Sequence, residues 1–395
     1  MNNKIKYFIM LAIAILNSPF IDLGAWGAMI GLFLLTFFLP KGKFCDQFTT
    51  KEIKLFSAIF FICILQSIFF VIFEGMDIKY FSRGLSTSLT SFFVVLFCAK
   101  LYKLYKEESF IVVFDGLVLS YSVNVIYALA IFGLGPVINS VFAIFSGGLE
   151  TAGNETDVVL EKSHAILLIM PFICDLFLLR YFSNNDKTCL RRMLIALVIS
   201  LLAYKRIAIG AAFLVLIVIL LRKFYNKSTI ILSGVIIISL LLFYVFFIKT
   251  GSIYILASQH DVDLAYRDVI WQAIDKFYPF SWDFWGYGWD FITKYLHENN
   301  LVLFGNHLGG IHNDILKIYI DLGFIGTIVY FAYFLIYCPL KLNGFEKSFI
   351  FWLCQVYLII IYLTDNAMVY LPCQLIAYLS PFYLNINASK NINDD

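Results

Sequence analysis

The chain has 395 residues, 61% of them hydrophobic and 14% charged, with a formal net charge of +2. A soluble globular chain carries roughly 45–50% apolar and about 25% charged residues, so this composition excludes a cytosolic or secreted globular domain. The small net charge offers no basic face for nucleic acid. Alternating apolar–polar segments of about ten residues, the mark of an outer-membrane barrel, are absent.

A membrane-crossing helix needs roughly 20 mostly apolar residues. Suitable runs lie at 7–23, 24–40, 55–73, 84–99, 109–133, 163–182, 192–204, 207–221, 229–248, 313–338, 348–364 and 369–386. They predict an all-α polytopic membrane protein with about twelve transmembrane helices in one integral membrane domain, 1–395. The first run follows Lys4 and Lys6 but lacks an A-x-A-like cleavage site and leads straight into the second, so it reads as an anchor. Runs 192–204 and 207–221 are short, with Lys205-Arg206 between them. One continuous helix would bury two adjacent cations at roughly 2.5–3.5 kcal/mol each. A hairpin with the pair at its tip avoids that cost and gathers most short-loop Lys and Arg residues on one side. Positive-inside orientation then predicts cytoplasmic termini, a large periplasmic loop at 250–311 that is partly helical, and a smaller one at 134–162. None of the eight cysteines falls in those loops, so no disulfide framework is expected.

Polar groups are expensive at membrane depth, so the informative residues are those the spans do not need. The helices flanking Lys205-Arg206 are about 18–23 Å long against a hydrocarbon core of about 30 Å, which sinks the hairpin tip below the outer surface. A guanidinium there suits phosphate oxygens; pairing with a carboxylate or reaching lipid headgroups is the alternative. In the large loop stand Trp271, Trp282, Trp285 and Trp289, four of the six tryptophans, suited to stacking on sugar rings or to an interfacial belt. Within AYRDVIWQAI, Arg267 and Trp271 share one face of a short amphipathic helix, where a salt bridge to Asp263 or Asp268 would be the structural explanation. Gly286 and Gly288, in FWGYGWD, permit close backbone approach of a ligand.

Further on, His312 and Asn313 stand where the loop enters a span, followed by Asp314, Lys317 and Asp321 at helical spacing. His312 reads as a proton acceptor, a donor to phosphate or a structural histidine. The spacing of His297, His307 and His312, with no cysteine near and no H-E-x-x-H, does not suit zinc. Asp365-Asn366 is expected at the same outer end as Arg206 and His312, and Asp175 toward the cytoplasm. P-loop, G-x-S-x-G and dinucleotide signatures are absent, and no cofactor is indicated.

The order of Arg206, then Arg267-x-x-x-Trp271 and Gly286-x-Gly288, then His312-Asn313-x-x-Leu316 and Gly323-x-x-Gly326 resembles the O-antigen polymerase (Wzy) and O-antigen ligase superfamily over residues 195–340. Lys205 departs from the small residue that members often carry before the arginine. The resemblance implies a metal-independent glycosyltransferase with a GT-C-type bundle in the bacterial inner membrane, its active site periplasmic. It implies as partners undecaprenyl-diphosphate-linked oligosaccharides, membrane lipids and a polysaccharide chain-length regulator. Polymerase is the preferred reading: a growing glycan moves from undecaprenyl diphosphate to the non-reducing end of a lipid-linked repeat unit. A ligase acting on lipid A core, or a lipid-linked oligosaccharide flippase or exporter, are the alternatives. On this reading Arg206, Arg267 and His312 are catalytic, the arginines gripping the leaving diphosphate together. Lys205, Trp271, Gly286, Gly288, Trp289, His307, Asn313 and Asp314 bind substrate, with His307 and Asp314 as reserve bases.

Overall fold

The computed structural model describes residues 3–18, 24–40, 48, 50–146, 163–203, 205–260, 264, 267–298, 302–303, 306–307 and 310–384. Each of the twelve expected runs falls on a helix. Seven are long and apolar enough to cross a membrane: Thr50–Phe73, Ile78–Tyr105, Glu108–Phe132, His164–Asn184, Lys227–Lys249, Asp314–Lys341 and Phe345–Tyr362. The other five, Asn3–Leu16, Gly24–Phe38, Lys187–Ala203, Arg206–Leu220 and Leu371–Tyr383, have 13 to 17 residues. At 1.5 Å per residue they reach about 20–26 Å.

The chain divides into two compact units, Met1–Thr50 with Phe93–Lys223 and Tyr370–Asp395, and Lys51–Phe92 with Phe224–Val369. In the first unit, Asn3–Leu16 packs on Glu108–Phe132, and His164–Asn184 carries Lys187–Ala203, Arg206–Leu220 and Leu371–Tyr383 on its flanks. Arg180 donates from Nη1 to the Tyr383 carbonyl at 2.8 Å, its guanidinium 4.4 Å from the Tyr383 ring centre. Between Lys187–Ala203 and Arg206–Leu220 the helix is broken rather than continuous, with Lys205 non-helical (φ −73°, ψ 89°), as two short helices require. The 134–162 loop contains a helix, Leu134–Ser146, that sequence reasoning did not anticipate; residues 147–162 lie outside the described residues.

In the second unit, Lys227–Lys249 packs against Asp314–Lys341, with Gly234 against Ile336. The 250–311 loop is partly helical: Ser252–Gln259, Arg267–Ile274 and Phe291–Glu298 are followed by a short hairpin, Val302–Leu303 paired with Asn306–His307. Breaking an apolar span is costly unless its freed backbone groups find partners. Asp314–Lys341 is broken at Gly323 (φ 74°, ψ −174°), and the external loop supplies those partners.

Candidate functional site

The loop enters Asp314–Lys341 through a tightly held corner. Asn313, fully buried, caps the helix by accepting from Leu316 N–H at 3.0 Å, as a helix start requires of its Ncap residue. Its Nδ2 donates to the Tyr244 hydroxyl at 2.9 Å, which donates to the Leu363 carbonyl at 3.1 Å. Asp314, also fully buried, accepts from Met368 N–H, while its own N–H donates to the Asp365 carbonyl. Just before the cap, His312 stands exposed in the left-handed region (φ 49°) between buried Ile311 and Asn313. Such a conformation in a non-glycine residue persists only where its surroundings impose it. Here both neighbours are anchored inward, which turns the imidazole outward.

Arg267 and Trp271 meet this corner from the external helix. Ile270, Trp271 and Ile274 form the buried face of Arg267–Ile274, the amphipathic pattern expected from the sequence. The Trp271 indole N–H donates to the Ile311 carbonyl at 3.2 Å, next to His312. Arg267 donates from Nη2 to the Thr364 carbonyl at 3.1 Å and from Nη1 to the Leu264 carbonyl at 3.3 Å. Adjacent carbonyls, of Thr364 and Asp365, therefore receive the Arg267 guanidinium and the Asp314 N–H. This juxtaposition brings Arg267, Trp271, His312, Asn313 and Asp314 around one turn, with Asp365-Asn366 beside them. No ion pair joins Arg267 to Asp268, and Asp263 lies outside the described residues. The Arg267 Nε is buried with no hydrogen-bond partner among the described residues. Among the described residues, carbonyl dipoles hold this cation and no carboxylate pairs with it, and a guanidinium so placed attracts an anion.

Residues 192–331 match the family model described as O-antigen ligase (Wzy_C). The matched stretch includes every motif residue from Lys205 to Gly326, and it supports the resemblance to the O-antigen ligase and polymerase superfamily; the seven apolar helices agree with a polytopic membrane protein. No curated protein and no solved structure matches the chain.

Within the matched stretch the other expected site residues take different places. Arg206 is the first residue of Arg206–Leu220, exposed, with Lys205 half-buried before it, both in the first unit. Gly286 and Gly288 both have positive φ (84° and 97°). A Cβ on Gly286 would collide with the backbone at Asp321 and Gly323, and one on Gly323 with the backbone at Phe284 and Trp285. The close approach that these glycines permit is thus between two segments of the chain. Trp289 is 2% exposed, its ring 5.1 Å from Lys317 Nζ. His307 lies in the small hairpin opposite Val302, and its side chain lies outside the described residues.

A second cluster escaped the sequence reading. Asp290, 1% exposed, accepts on one oxygen from Arg83 Nε at 3.0 Å and Thr87 Oγ1 at 2.7 Å. Its other oxygen lies 2.9 Å from Lys317 Nζ, itself 3.4 Å from the Asp321 carboxylate. Asp321 accepts from the N–H groups of Asp290 and Ile292 at 2.9 and 3.1 Å. Two cations, Arg83 and Lys317, thus face two carboxylates, Asp290 and Asp321. The signal was present in the polar outer half of Ile78–Tyr105, where Ser86, Thr87, Ser88 and Ser91 are buried. Lone serines and threonines in a span do not reveal which carboxylate they accompany.

Proposed function

We propose that the protein is a polysaccharide polymerase, a glycosyltransferase that moves a growing glycan from undecaprenyl diphosphate to a lipid-linked repeat unit outside the inner membrane. The observation that carries this reading is the uncancelled Arg267 guanidinium, fixed by carbonyls beside an outward-turned His312, within a stretch matching the O-antigen ligase family model. Outside the membrane no nucleoside triphosphate drives glycosyl transfer, so the donor carries its activation as a diphosphate leaving group. Negative charge grows on that group as the glycosidic bond breaks. Arg267 stabilises it. One such donor contributes roughly 2.7–4 kcal/mol to the transition state. His312 contacts the diphosphate or accepts the proton of the attacking hydroxyl; Trp271, Asn313 and Asp314 hold the corner that presents it. The chemistry needs no metal, because the guanidinium supplies the positive charge.

Purified protein given undecaprenyl-diphosphate-linked repeat units is expected to produce a ladder of glycan lengths. A single adduct on lipid A core, with no ladder, would instead establish the ligase reading. Unchanged long-chain polysaccharide in cells carrying Arg206→Ala, Arg267→Ala and His312→Ala singly would overturn both.

A further inference from the structure

The break at Gly323 frees three backbone groups inside a span, and each has a specific replacement partner. The Asp321 carbonyl accepts from the N–H groups of Tyr287 and Gly288 at 3.2 and 2.9 Å. Phe324 N–H donates to the Phe284 carbonyl at 2.9 Å. Gln66 Nε2 donates to the Leu322 carbonyl at 3.3 Å and to the Trp285 carbonyl at 3.0 Å. Such complete substitution is what a segment surrounded by hydrocarbon requires, because water is not there to solvate the groups.

The partners also fix a depth. Gln66 is seven residues inside the Phe73 end of its span, about 10 Å at 1.5 Å per residue. Leu322 is eight residues inside the Asp314 end, about 12 Å by the same rise. Thr87, which holds Asp290, is nine residues inside the Ile78 end, about 13 Å. Trp289 N–H donates to Ser67 Oγ at 2.9 Å, and its carbonyl fills the place of a Cβ on Gly84. Three spans therefore place 284–290 well below their own ends. Ile62, Leu65 and Phe69, around Gln66 on its helix, are exposed apolar residues, the stripe that such a span turns to lipid.

We infer that residues 281–290 form a re-entrant segment and that Trp285, 65% exposed, lies against lipid acyl chains. Trp282, 74% exposed beside the exposed Asp283, occupies the shallower interfacial level, where an indole meets both apolar chains and water. The segment locks the broken span and carries its own lipid-facing side chain. This inference rests on hydrogen bonds within the second unit and is independent of the enzymatic reading.

The test uses the full chain in phosphatidylcholine vesicles, with and without lipids brominated along the acyl chain. Subtracting the emission of Trp285→Phe from that of the unsubstituted protein isolates the Trp285 component. That component is expected to be quenched by brominated lipid and untouched by aqueous iodide. Quenching by iodide without quenching by brominated lipid would overturn the inference. As a second measurement, Trp285→Cys is expected to react with a membrane-impermeant maleimide only after detergent solubilisation; reaction in intact vesicles open to the reagent on both faces would overturn it equally.

Discussion

Two polar clusters at the outer end of the second unit handle charge in opposite ways. Around Asp290, two cations and two carboxylates are closed upon one another: Arg83 and Lys317 against Asp290 and Asp321. Around the Thr364–Asp365 turn, Arg267 donates to carbonyls alone among the described residues, and His312 is turned outward. Burying charge is tolerable when partners cancel it, so the first cluster behaves as a structural lock. A cation left with dipoles alone costs stability unless a ligand completes it, so the second behaves as a place for an anion. The difference between a structural and a functional arginine here lies in what each is paired with.

Substitutions can break this contrast, and the largest effect belongs to the closed cluster. Asp290→Ala leaves Lys317 buried with reduced compensation and is expected to cost about 3–5 kcal/mol of stability, measured as a fall in unfolding temperature of the purified protein.

Arg267→Ala should do the reverse: transfer falls by roughly 2.7–4 kcal/mol in the barrier, on the order of a hundredfold or more in rate, while the unfolding temperature hardly moves. A large drop in stability with full activity would erase the distinction between the clusters. Gly286→Ala tests the joint that lies between them, since the added methyl meets the Asp321 backbone at a positive φ. Overpacking of this kind costs about 1–3 kcal/mol, read as reduced stability and greater protease sensitivity of the external loop. The smallest change is expected from Asn313→Ala, where loss of the cap costs about 1 kcal/mol, seen as a modest fall in unfolding temperature with activity reduced through a looser His312 corner.

Much of this organisation was legible in the residues. Each of the twelve apolar runs falls on a helix, because hydropathy over a window is a local property and each backbone group in a helix is satisfied within its own segment. The amphipathic helix at Arg267–Ile274 followed from spacing, whereas the meeting of its arginine with the Thr364–Asp365 turn did not. The motif glycines were recognisable as positions of close approach, but the approaching partner was not: Gly286 meets Gly323, thirty-seven residues onward. Asp290 was overlooked because its partners Arg83 and Thr87 come from a different span.

Sequence alone determined that this is a helical membrane protein, where its apolar segments begin and end, and which stretch carries the family pattern, since each depends on neighbours along the chain. Tertiary structure alone decided which charges cancel, which cation remains open, and that part of an external loop fills a break in a span. Those outcomes depend on groups far apart in sequence meeting within a few ångströms, where a carboxylate or a carbonyl beside an arginine determines whether its charge is spent on the fold or left for a ligand.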